Sequence, residues 1–188
     1  VEELVISGAG TVAAPEHNLP INVDWLSIEE GAVLTHRAAT PTDTFSLFVR
    51  ADGEIVIDDT SAIDVSGKGY LPGRTEGNRA IGGATGAAGG TYGGRGFVVG
   101  SSRTNALYGD ARYPRFPGSG GGDRKPDGSG GGAIHLDAER IVNDGSIRAH
   151  GAESYSHWTG TGGSGSGGSI LVNAGVLETR SLPKKFFG

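Results

Sequence analysis

The chain has no cysteine and no methionine, few aromatic residues (7%) and no surplus of basic charge. Each shortage excludes something. Without cysteine there are no disulfides and no thiolate metal ligands. Without methionine, even at position 1, the chain is expected to be either processed or cut from something larger. The formal net charge of -5 and a pI near 5.5 argue against a basic nucleic-acid footprint. No apolar run approaches the length of a membrane span, and none of the residues given reads as a remaining signal peptide.

What the chain has in excess is glycine, 36 of 188 residues. Thirty of them lie between Gly67 and Gly168, in tracts such as GGATGAAGGTYGGRG and GTGGSGSGGS. Glycine does not recur at every third position, which excludes collagen. Short runs of valine, isoleucine and leucine supply enough apolar surface to exclude a wholly disordered chain.

Those runs share a pattern: apolar-x-apolar-x-Ala, a spacer, then Gly-x-apolar-x-small-x-Gly. Copies begin at Leu4, Leu26, Leu47, Ile134 and Ile170. Alternation of this kind marks strands with one buried face, and β-branched residues at the buried positions suit a pleated surface. No helical stripe is visible. Leu4 to Leu26 spans 22 residues and Leu26 to Leu47 spans 21, a period associated with stacked repeats. The expected fold is therefore all-β, a parallel β-helix (β-solenoid) of about 4–5 coils in one domain over 1–188. N-terminal coils occupy 1–69, a glycine-rich insertion 70–132, a coil 133–152, a second insertion 153–168, and a partial coil with a tail 169–188. The insertions are expected to be mobile or to pack as extended polyglycine.

The stretches AIDVSGKGYLPG, GGTYGGRG, PGSGGG, GSGGGAIHLDAERIVNDGSIRAHGA and GGSGSGGSILVNAG resemble the glycine-rich parallel β-helix regions of large bacterial surface and adhesin-like proteins. The resemblance covers roughly residues 45 to 175. It implies an extracellular or cell-surface location and an adhesive or structural role, with no catalytic motif to carry over. It also implies that the chain is a part of a longer protein.

Several residues are candidates for chemistry. Asp58, Asp59 and Asp64 invite comparison with calcium-holding carboxylates of β-helix lyases, but no base accompanies them to abstract a proton. GGGDRKPDG, with Asp123 and Asp127, occurs once and lacks the nine-residue period of calcium-binding repeats. No metal site or cofactor is expected beyond that weak calcium reading. The five histidines (His17, His36, His135, His150, His157) have no metal-ligand spacing and read as surface residues.

Two aromatic and arginine clusters are the candidate contacts with a ligand or partner. One comprises Tyr108, Arg112, Tyr113, Arg115 and Phe116, the other Tyr155 and Trp158; the plainer reading is that they cover the glycine tracts. At the ends, Phe186 and Phe187 are candidate assembly contacts, with Leu4 and Ile6 as the receiving edge. Three functional classes follow. A non-catalytic structural or adhesive module, self-associating or built into a larger chain, is favoured. A carbohydrate-binding module for a surface glycan comes next, and a polysaccharide-active enzyme last.

Overall fold

The computed structural model describes residues 2–123, 127–154 and 162–180. Strands β1 (Glu3–Ser7), β3 (Ile21–Glu29), β5 (Leu47–Ile57), β7 (Ala133–Asn143) and β9 (Ser169–Glu178) form a five-stranded sheet in that order. Strands β2 (Val12–Ala13), β4 (Val33–Leu34), β6 (Ala62–Asp64) and β8 (Ser146–Arg148) form a four-stranded sheet. Every strand pairing is parallel. The helical content of the described residues is one 3-10 turn, Glu76–Asn78.

Parallel pairing in register stacks like on like. Ile6, Ile28 and Ile57 are successive partners across three strands, as are Leu47, Ile134 and Ile170. The inward members of both sheets merge into one core, in which Ile28, Val49, Ile55, Ile57, Ile63, Leu136 and Ile141 are fully buried. Complete burial of each such side chain contributes roughly 1.5–3 kcal/mol.

The expectation of a closed parallel β-helix is corrected here. The described strands make two separate parallel sheets, and no closed solenoid is formed among them. Apolar alternation reports which face is buried and which strands can pair. It carries no information on whether the chain between strands closes a coil. The repeat alignment also misses the register. Leu26 pairs with Ile55 rather than with Leu47, whose partner is Ile134. Strand β5 carries two apolar runs, and the later one, at Ile55, meets Leu26, while Leu47 opens the strand ahead of it; a one-residue bulge also falls between Val23/Ala51 and Trp25/Glu54. The extra residue lies on β5, between Ala51 and Glu54, where it separates that strand's two apolar runs.

The glycine tracts are bound together rather than looped out. Segment 118–122 lies among four others. The amides of Gly118, Gly120, Gly121 and Gly122 donate to the carbonyls of Gly131, Arg74, Gly128 and Ala88 at 2.8, 3.1, 2.8 and 2.7 Å. In return its carbonyls accept from Tyr70, Gly73 and Ser166 at 3.0, 2.7 and 3.0 Å. A β-strand bonds in two opposed directions. This segment bonds to at least three different neighbours, the pattern of extended helices with three residues per turn packed side by side. Side chains would not fit: a Cβ on Gly121 would overlap the carbonyl of Gly163, and one on Gly163 would overlap that of Ala88.

Among the described histidines, all read as surface residues, His36 is the buried exception. It is 1% exposed and lies against the start of β7.

Candidate functional site

The aligned runs Leu47–Arg50 and Ile134–Asp137 place Phe48 opposite His135 and Arg50 opposite Asp137 in the β5–β7 ladder. Leu47, Val49, Ile134 and Leu136 face the core, so the alternate positions point outward. The rings of Phe48 and His135 stack, with centroids 4.4 Å apart and planes 4° from parallel. The Arg50 guanidinium lies 5.7 Å from the centre of the Phe48 ring and 3.5 Å from Asp137. Asp137 also accepts from Asn173 Nδ2 at 3.2 Å.

Phe48, His135 and Arg50 line a groove of about 440 Å³ together with Asn18, Ser46 and Arg115, and Asp137 lies just outside it. Asn18 fixes one wall. Its Nδ2 donates to the Thr44 carbonyl at 2.8 Å and its Oδ1 accepts from the Ser46 amide at 3.0 Å. Arg115 reaches in from the glycine-rich side and has no acidic partner among the described residues. Burial lowers the pKa of His135; Asp137 opposes this, while Arg115 and Arg50 reinforce it. The imidazole is therefore neutral at pH 7. The lining carries two cations and no carboxylate. That composition suits holding an anion.

Beside the groove, Tyr108 and Phe116 belong to a cluster that anchors the glycine layer. Tyr108 is centred 5.0 Å from Tyr92, 6.4 Å from Tyr70 and 6.5 Å from Phe116. Its hydroxyl donates to the Pro117 carbonyl at 2.6 Å and accepts from Ser119 Oγ at 3.1 Å. Burial raises its pKa far above the usual tyrosine value, against the hydrogen bond from Ser119. With its one proton on Tyr108, Ser119 Oγ accepts from Thr75 Oγ1 at 3.1 Å, and Thr75 in turn accepts from Asn105 at 3.0 Å. A smaller cleft of about 260 Å³ opens between Tyr92, Tyr108 and Pro114.

The five residues expected to act together are thus divided. Arg115 faces the groove, and Tyr108 and Phe116 are framework. Arg112 and Tyr113 are exposed in the loop outside both clefts. Tyr155, Trp158, Phe186 and Phe187 lie outside the described residues. Leu4 and Ile6 pack against the core from β1, the edge strand of the large sheet.

Three of the aspartates considered for calcium, Asp58, Asp64 and Asp123, make internal contacts. Asp58 accepts from the Glu30 amide at 2.6 Å and from the amide and hydroxyl of Thr60 at 3.0 and 2.9 Å. Burial would raise its pKa, but the hydrogen bonds it accepts bring it down to about 2. Asp64 accepts from the Ser66 amide and Asp123 from that of Gly86. Among the described residues no group of three or more His, Asp or Glu side chains is placed to hold a metal ion. No helix there is long and apolar enough to cross a membrane.

Sequence reasoning passed over Phe48, Arg50 and Asn105, and read His135 only as a surface histidine. Phe48, Arg50 and His135 were within reach. Stacking LFVR on IHLD puts Phe48 beside His135 once parallel register is assumed. Asn105 gave no signal, because its partners Thr75 and Thr91 are 30 and 14 residues away. No protein-family model, curated protein or solved structure matches the chain.

Proposed function

We propose that this chain is a non-catalytic structural and adhesive module acting outside the cell or at its surface. The observation that carries the reading is the glycine layer. Its segments are joined backbone to backbone around residues 118–122, at a closeness that excludes a side chain at glycines such as Gly121 and Gly163. Such packing leaves few internal degrees of freedom and suits a rigid support. The resemblance to surface and adhesin-like regions supports the same reading. So does a groove with two arginines and no acid among its lining residues. In the large sheet, β1 and β9 each have one neighbour among the described strands. Such edges can pair with a further parallel strand, from a longer parent chain or a second copy.

The test is adhesion without turnover. Beads coated with the protein are passed over immobilised polysaccharides, and released reducing or unsaturated ends are assayed. Retention on at least one surface with no released product is expected. Steady product release, or no retention on any surface, would count against the reading.

A further inference from the structure

We infer that the groove over Phe48 and His135 binds a carboxylate-bearing sugar, a uronate unit of an acidic polysaccharide. The inference rests on the adhesive reading and names the ligand class.

Three features of the groove converge. The first is charge. Arg50 and Arg115 both line it. The nearby carboxylate, Asp137, is engaged at one oxygen by Arg50 and at the other by Asn173. Two cations against one carboxylate leave a net positive site, and Arg115 is free to meet an incoming anion. A guanidinium fork matches a planar carboxylate with two parallel N–H···O bonds.

The second is shape and surface. The stacked Phe48 and His135 rings give the floor a rigid apolar patch within an open groove of about 440 Å³. Sugar rings have apolar C–H faces that sit on such patches while their hydroxyls point elsewhere. An isolated small anion would gain nothing from the patch, and an extended apolar peptide would gain nothing from the arginines.

The third is unused hydrogen-bonding capacity. The Ser46 hydroxyl and both ring nitrogens of His135 make no hydrogen bond among the described residues. A neutral imidazole offers one donor and one acceptor, which suits hydroxyls. The walls are also held in place without the ligand: Asn18 bridges Thr44 and Ser46, and the floor is set by strand register. A site formed in advance loses less entropy on binding.

The test is calorimetric titration of the whole chain with trigalacturonate, alongside its fully methyl-esterified form and a neutral trisaccharide. Trigalacturonate should bind, and esterification should weaken it at least tenfold. Arg115→Ala and Phe48→Ala should each weaken it by a similar factor, whereas Arg112→Ala, outside the groove, should not. Thermal melts identify any variant that is misfolded; Arg115 is exposed, so its variant reads binding directly. No binding, equal binding of the ester or of the neutral trisaccharide, equal or tighter binding of that trisaccharide in sulfated form, or indifference to Arg115→Ala would overturn the inference. The bead assay separates the two claims. Beads retained on other surfaces while trigalacturonate ignores the groove would leave the adhesive reading standing without its uronate site. Beads retained nowhere would sink the adhesive reading even if the oligomer binds.

Discussion

His36 Nε2 accepts a hydrogen bond from the amide of Ala133, 3.3 Å away and 97 residues further along the chain. The other ring nitrogen, Nδ1, is 2.7 Å from the Arg37 carbonyl and must donate to it. The two contacts fix a neutral imidazole protonated at Nδ1. The ring joins the start of β7 to the region after β4. Its neighbour has to be glycine, because a Cβ on Gly132 would overlap the imidazole.

This geometry sets a pH dependence. Burial lowers the His36 pKa from 6.5 to about 4; the Arg37 carbonyl opposes the shift and Lys68 adds to it. The unfolded chain therefore binds the proton more readily than the folded one. Stability is complete above pH 6.5 and falls as the pH drops toward 4, by roughly 3 kcal/mol in all. His135, also lowered, adds a loss of the same sign. Asp58, held at about 2, contributes only below the ordinary carboxylate range. Urea midpoints between pH 7.5 and 4 should fall steadily; a flat profile would refute the buried neutral imidazole.

The glycine layer predicts a contrast between two substitutions. Gly121→Ala drives a methyl into the Gly163 backbone and should cost roughly 3 kcal/mol or more, the upper end of overpacking penalties. Gly94 has no atom within 4 Å of an added Cβ and no positive φ. Gly94→Ala should be neutral or gain up to about 1 kcal/mol through the unfolded chain. Equal melting temperatures for the two variants would show that the tracts do not pack as described.

Asn105 is 3% exposed. Its Oδ1 accepts from the Thr91 amide at 2.8 Å, and its Nδ2 faces Thr75 Oγ1 and the carbonyls of Thr91 and Ala106. Asn105→Ala leaves buried groups unpaired and should destabilise by about 1–3 kcal/mol. Asn105→Asp should be worse, because it replaces the donor with an anion facing three acceptors. Urea denaturation of both variants gives the order; an aspartate variant as stable as wild type would remove Asn105 from its role.

The strands were legible because their buried faces are written in sequence-local alternation. Leu47, Val49, Ile134 and Leu136 announce themselves within four residues. Closure was not legible, since nothing in LFVR or IHLD says where the chain goes between strands. Nor was register, because β5 carries two apolar runs, one opening at Leu47 and one at Ile55, and alternation does not say which of them meets Leu26. The groove was half legible. Arg115 stood out as a candidate, but its companions Phe48 and His135 looked like ordinary strand residues until parallel pairing put them together. His36 read as a surface residue because its partner lies 97 positions away.

The central claim is that the glycine tracts are a locked framework, and amide hydrogen exchange followed by NMR tests it most directly. The amides of Gly69, Gly118, Gly121 and Gly130 each donate to a backbone carbonyl between 2.6 and 2.9 Å away. They should exchange as slowly as core strand amides such as those of Val49 and Leu136. Exchange at the rate of an unprotected chain at those four glycines, with the strands still protected, would contradict the account.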